Sequence, residues 1–420
     1  MPNVCATPAG GCSAGTAGVW QNVTPSQLAV GTWCIPQGTQ ACPEAGQTGN
    51  TGQLATYGSN AFVLDPSHPG TVYLGTSSLG IWKSTDCGAD GSWTHVNTGT
   101  LGSALDAGRN WTIVIDPTNS AIVYTVAGYG QGGIFKSTNG GVDWAQILSA
   151  DIMTATTGFM ERITMDPTDH THLVASFHTN CTGTAPAGAR VVANTGSDPT
   201  DVTLVTAPTP TGMGTDYQGW GCLAESHDSG ASWALTPGAW PWSGGDGPGQ
   251  TMVDTNTWFY GTNSGDGLWL TTNADSAGGP TWTEVQLPGA PSPTEQFSAG
   301  GVYIATDGSF YTSGTFQVIH STDGLHWTSV SQEYAPAPFS VNGSISIVDT
   351  GKTLYACNSG NSASLSPSWY FTAPLSPASD LAQATTTPML EGGAYLAYDP
   401  VNDILYSSNM TGGFWRLVGP

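Results

Sequence analysis

Short apolar runs separated by turn residues repeat along the chain. Phe62-Val63-Leu64-Asp65-Pro66 is followed by Thr71-Val72-Tyr73-Leu74-Gly75-Thr76, then by Gly80-Ile81-Trp82-Lys83-Ser84-Thr85-Asp86, and after further glycines by Trp93-Thr94-His95-Val96. Each run is about 4 to 6 residues long, alternates in polarity and is bounded by Gly, Pro, Asn or Asp, the pattern of short antiparallel strands. A second copy contains Ile113-Val114-Ile115-Asp116-Pro117, Ile122-Val123-Tyr124, Gly133-Ile134-Phe135-Lys136-Ser137-Thr138-Asn139 and Trp144. A third runs from Ile163-Thr164-Met165-Asp166-Pro167 to Ser226-His227-Asp228-Ser229-Gly230 and Trp233, interrupted by an insertion at 179–221. Weaker copies begin with strands ending at Asp254, Asp307, Asp349 and Asp399.

Four strands per copy and a period of about 50 residues predict an all-β fold, with residues 1–420 forming one seven-bladed β-propeller of four-stranded antiparallel blades. The last copy stops after its third strand, Gly413-Phe414-Trp415-Arg416-Leu417. Residues 18–24 carry the Trp-x-x-Val pattern of the other outer strands, so an N-terminal strand is expected to close the ring. Residues 1–17 would then form a disulfide-tied extension.

Composition narrows the function. Sixteen Trp and 39% hydrophobic residues supply a large core, and 9% charged residues fit no coiled coil. Thirty acids against 7 bases give a net charge of −23, which repels phosphate backbones and anionic lipid heads. Neither nucleic acid nor a membrane is expected as a partner. No apolar run reaches about 18 residues, and Met1-Pro2-Asn3-Val4 opens no charged-then-apolar leader. The eight Cys, with Cys5 near Cys12, Cys34 near Cys42, and Cys181 and Cys222 at the base of the insertion, read as disulfides. An oxidising compartment follows, so the expectation is a secreted, extracellular monomer in which Met1 replaces a removed leader. Zinc spacings and the calcium-loop pattern are both missing. No cofactor is expected, although loop carboxylates leave room for a structural calcium. His170 and His172 flank an Asp-Pro turn and read as incidental.

The Ser/Thr-x-Asp/Asn-x-Gly-x-x-Trp segments around Asp86, Asn139, Asp228 and Asp323, and a stretched version at Asn273, resemble Asp boxes. These are the BNR repeats of sialidases, sortilin-type receptors and family 74 xyloglucanases. The resemblance implies a propeller in which the boxes are structural. A sialidase would need three arginines gripping a carboxylate, and this chain has only Arg109, Arg162, Arg190 and Arg416. The first blade is more similar to the N-terminal propeller of the xyloglucanases, which implies a polysaccharide substrate. In that family the second strand of the blade ends in a catalytic Asp, and Ser77 stands at that position here.

The Asp-Pro turns and Asp boxes fall on one face of a propeller, and the irregular loops on the other, where ligands commonly bind. Crossovers to inner strands carry acids that the repeat does not require. Glu161, Asp246, Glu295 and Glu391 are the candidate catalytic carboxyls, because crowded carboxyls split into an acid and a base. Asp106, Arg109, Tyr129, His178, Tyr217, Trp220, Trp240 and Trp242 are the candidate substrate contacts, the aromatic ones because flat rings stack on sugar faces. Three functions fit: a glycoside hydrolase, a lectin-like binder using the same cavity, or a lyase with His178 or a loop Tyr as base and Arg109 neutralising a uronate. A pure interaction scaffold like the sortilin-type receptors ranks behind them.

Overall fold

The computed structural model describes residues 5–6, 11–13, 15–28, 58–77, 79–128, 132–156, 160–177, 223–236, 249–261, 268–285, 301–313, 318–330, 345–358, 367–368, 370–375, 381–383, 389–390, 395–410 and 412–420. Seven four-stranded antiparallel sheets make up an all-β propeller. The inner strands of blades one to seven are Ser59–Leu64, Arg109–Ile115, Met160–Met165, Gly249–Met252, Tyr303–Ile304, Ile345–Asp349 and Tyr395–Asp399.

A repeated hydrogen bond explains the period. At or just beyond the end of every inner strand stands an aspartate: Asp65, Asp116, Asp166, Asp254, Asp307, Asp349 or Asp399. In each case Oδ1 accepts the backbone N–H two residues on, at 2.5–2.9 Å. The side chain thereby closes the turn and satisfies a donor that no strand partner reaches.

The Ser-x-Asp/Asn turns work in the same way on the next hairpin. Ser226 Oγ accepts the N–H of Gly230 at 2.8 Å, and Asp228 Oδ1 accepts that of Ser232 at 2.8 Å. Ser137 with Asn139 and Ser321 with Asp323 repeat the arrangement. An amide serves as well as a carboxylate, so the turn requires an oxygen and not a charge.

Two compact units are distinguished by their internal packing: residues 1–131, 135–145 and 337–420 in one, 132–134 and 146–336 in the other. In the first, the seventh blade is completed from the opposite end of the chain. Trp20–Asn22 pairs antiparallel with Phe414–Val418, matching Trp20 with Leu417 and Asn22 with Trp415. Bonds from Gly18 N to Val418 O (2.9 Å) and from Val23 N to Phe414 O (2.8 Å) extend the ladder. Val23 and Leu28 then join Val72, Leu74, Trp93, Tyr406 and Phe414 in one buried cluster. In the second unit, Phe259, Leu270, Val302, Ile319 and Trp327 share the core of blades four and five.

Cys12 is bonded to Cys87, 75 residues away, which corrects the pairing of Cys12 with nearby Cys5. The docking of the N-terminal segment decides the partner. Ser13 donates both N–H and hydroxyl to Asp86, and buried Arg416 donates to the carbonyls of Cys87 and Ser13. Cys12 is thus held against the turn at Asp86 of blade one. Cys34, Cys42, Cys181 and Cys222 lie outside the described residues.

Replacing Cys12 and Cys87 together by Ser should cost about 2–5 kcal/mol in urea unfolding; an unchanged midpoint would show that the bond adds nothing to the seam. Deleting residues 1–24 should cost more, read as a lower melting temperature. Asp323 is held below the ordinary carboxylate range by the N–H and ring of His326 and the N–H of Leu325. Its contribution is present above the unfolded pKa and is lost as pH falls through the lower folded value. Asp323→Asn keeps an acceptor oxygen but not the charge, so it should lower stability at neutral pH and should flatten the loss between about pH 4 and about pH 2. An acid profile identical to the parent's would remove the carboxylate from that account.

Candidate functional site

Where the crossovers enter the inner strands, blades one to three share a defect. Pairing slips between Ser59 and Ala61, between Asn110 and Thr112, and between Met160 and Arg162. Each slip leaves one residue as a bulge: Asn60, Trp111 and Glu161. Bulges occur at sheet edges, where they re-aim a side chain and end the pairing. Glu161 therefore occupies in blade three the position of an aromatic residue in blade two.

Glu161 is half-buried, and its Oε2 is shut off from solvent. Behind it lies Tyr260, on the second strand of blade four. Burial pushes the Tyr260 phenol far up, the Glu161 charge pushes it further, and the Arg162 guanidinium opposes both. The carboxyl, the guanidinium and the neutral phenol thus form one electrostatic group. Arg162 also reaches toward Gly301: a Cβ there would lie 3.8 Å from Nη1.

Arg109 opens the inner strand of blade two and is 2% exposed. Its guanidinium lies 5.3 Å from the Trp111 ring, and its backbone bridges to Ser77. Ser77 is itself buried. The position where the xyloglucanase resemblance implies an acid is therefore packed beside a buried cation and carries only a hydroxyl.

Asp106 is turned elsewhere. It ends the short helix Gly102–Asp106, and its Oδ1 meets His95 Nε2 at 2.9 Å and Asn97 Nδ2 at 2.7 Å. His95 belongs to the outer strand of blade one, so this carboxylate fastens the crossover to the rim side of the blade. Gly80 makes room for it: a Cβ there would lie 2.1 Å from Asp106 Oδ1, and φ is +70°. Asp246, Glu295, Glu391, Tyr129, His178, Tyr217, Trp220, Trp240 and Trp242 lie outside the described residues.

A second group stands at the opposite ends of the blade-three strands. His172 Nδ1 lies 3.2 Å from Asp166 Oδ2 and its Nε2 lies 3.6 Å from Glu225 Oε2, while His227 Nε2 lies 3.4 Å from the same Glu225 oxygen. Burial opposes charging of His172, but Glu225 and Asp166 outweigh it and raise its pKa. Burial likewise opposes the charge on Asp166, yet hydrogen bonds from Thr255, Thr168 and His172 bring its pKa to about 2. Of this group the Asp-Pro repeat marks only Asp166.

No protein-family model matches the chain. Over 102 residues it is 32% identical to a xyloglucanase of Hypocrea jecorina (strain QM6a), a stretch covering 22% of this chain and 12% of that protein. Its fold is similar to that of a GH74 xyloglucanase from Xanthomonas campestris, with TM-score 0.52 and 15% identity over 94% of this chain and 53% of that one. YCF48 from Cyanidioschyzon merolae is comparably similar, with TM-score 0.55 and 7% identity over 95% and 98% of the two chains. So is virginiamycin B lyase from Staphylococcus aureus, with TM-score 0.54 and 12% identity over 86% and 94%. At such identities the structural likenesses establish the propeller alone. The chain spans about half the length of the xyloglucanase structure and a small fraction of the curated relative.

Asp106→Ala should lower stability by about 1 kcal/mol, because a part-exposed carboxylate with two donors is lost. Urea unfolding measures it, and a variant as stable as the parent would remove the fastening role.

Proposed function

We propose that the chain is a secreted, polysaccharide-active glycoside hydrolase in which Glu161 is one of two working carboxyls. The observation that carries this reading is the bulge. Glu161 is a half-buried acid beside Arg162 and Tyr260 at the bulged start of an inner strand, where blades one and two carry Asn60 and Trp111. The short xyloglucanase match supports a polysaccharide as the substrate class. The net charge of −23 favours a neutral polymer over a uronate-rich one.

In the proposed reaction one carboxyl, as the acid, protonates the glycosidic oxygen as the bond breaks. The other acts as base on water or as nucleophile at the anomeric carbon. Asp246, Glu295 and Glu391 are the candidate partners of Glu161. A separation of about 5–5.5 Å would give retention, and about 6.5–9.5 Å inversion. Arg109, Tyr129, His178, Tyr217, Trp220, Trp240 and Trp242 are proposed sugar contacts, the rings acting by stacking. The buried Ser77, standing where the resemblance implies an acid, favours a second reading in which the same surface binds glycans without cutting them.

Reducing-end release from xyloglucan and a panel of neutral β-glucans tests the proposal. Glu161→Gln should lower kcat by about 100-fold or more with the melting temperature unchanged, since positioned acid–base catalysis contributes that much. Full activity in Glu161→Gln would remove this residue from catalysis. Saturable binding with no new reducing ends would replace hydrolysis with the lectin reading.

A further inference from the structure

The group of histidines and carboxylates in blade three follows from strand register. Asp166 lies opposite His172, because Met165 pairs with Leu173; His172 lies opposite His227, because Leu173 pairs with Ser226. Glu225 is two residues before His227, so it projects from the same face of the sheet. Three adjacent strands thus present Asp, His and His in one row, with Glu alongside.

Sibling blades place other residues there. The position of His227 is held by Thr85, Thr138, Thr272 and Thr322 in blades one, two, four and five. The position of Glu225 is held by Lys83 and Lys136 in blades one and two, where each ammonium lies over a tyrosine ring. Blade three has exchanged a cation for an anion where it also acquires two imidazoles. The Ser-x-Asp turn needs neither change, because Ser226, Asp228 and Gly230 already form it.

We propose that His172, Glu225 and His227 bind a divalent transition ion of the zinc class, with Asp166 orienting His172. One ligand atom from each residue lies within 4.8 Å of the others. A tetrahedral zinc with bonds of about 2.1 Å holds its ligand atoms about 3.4 Å apart. The separations of 3.6 and 3.4 Å from Glu225 to the two imidazoles match that edge. The His172 side chain is fully buried and its Nε2 meets Glu225 Oε2 at 3.6 Å, beyond good hydrogen-bond length, while the buried Oε1 of Glu225 has no hydrogen-bond partner. Such a bare polar atom is costly unless a ligand meets it. An ion between them would draw His172 Nε2 and a Glu225 oxygen into one set of ligands and engage His227 as well.

Asp166 supplies the support that metal-binding imidazoles require: a carboxylate on Nδ1, which fixes the tautomer and points the Nε2 lone pair outward. Two imidazoles and one carboxylate suit zinc, cobalt or nickel and not calcium, which takes six or more oxygens. The His227 ring stacks on His172 at 4.3 Å and is half-exposed, so it can swing to its ligand position, and the remaining coordination site faces water. Such an ion would tie the Asp-Pro turn to the Ser-x-Asp turn of the same blade.

The test uses the full chain, stripped with a chelator and dialysed. Zinc titrated by calorimetry should bind at about one equivalent with micromolar affinity or better. Cobalt should give the intense visible absorption of a four-coordinate site, and zinc should raise the melting temperature by a few degrees. Glu225→Lys with His227→Thr restores the residues of blade one and leaves buried His172 in place; it should fold and lose the zinc equivalent at least 100-fold. Glu225→Gln alone should weaken it at least tenfold. Absence of stoichiometric zinc in the parent, equal zinc binding by the double variant, or an equal thermal shift from calcium or magnesium would each overturn the proposal. None of these readouts depends on glycoside hydrolysis.

Discussion

The seventh blade exists only because a strand from the start of the chain pairs with one from its end. A propeller blade is an open sheet with two apolar faces and two edges, and it is stable only between neighbours. Pairing of Trp20–Asn22 with Phe414–Val418 gives this blade its fourth, outer strand. Trp20 then packs edge-on against Tyr370 at 5.4 Å, and Val23 accepts the indole N–H of Trp93. Blades six, seven and one of the first unit therefore share one cooperative join. Arg416 has a structural task within it and is withheld from any ligand.

Within that frame, the repeat and its departures do different jobs. Oxygens at the inner-strand aspartates and at the Ser-x-Asp/Asn turns stop strands and turn them, and their side chains are consumed by backbone N–H groups. Bulged positions at the other strand ends are released from the ladder, so their chemistry varies between blades: Asn60, Trp111, Glu161. The proposed hydrolase reading rests on the acid that blade three carries at such a position beside Arg162 and Tyr260, and Asp106 is set aside because His95 and Asn97 already share its oxygen.

The blades were legible in the sequence because each inner strand needs a turn-forming Asp and the hairpin after it carries Ser/Thr, Asp/Asn and Trp at a fixed spacing. Closure was legible for the same reason, from Trp20 and Val23. The partner of Cys12 was not, since a contact across 75 residues depends on where the N-terminal segment docks. Nor was the bulge at Glu161, because Met160-Glu161-Arg162 shows no break in local pattern and only pairing with Phe177 and Ser176 exposes the extra residue. His172 reads as incidental along the chain. It gains meaning only when two registers bring it between Asp166 and His227, with an insertion of more than forty residues intervening in sequence.

The bond between Cys12 and Cys87 also governs how the molecule bears tension. Antiparallel pairing brings the residues preceding Trp20 and those following Val418 to the same end of the seventh blade, so a pull on both would open that ladder one hydrogen bond at a time. Force entering upstream of Cys12 instead passes through sulfur into the hairpin of blade one and bypasses the three paired residues. The covalent link thus shields a weak, sequentially breakable seam, and a reductant would expose it to load.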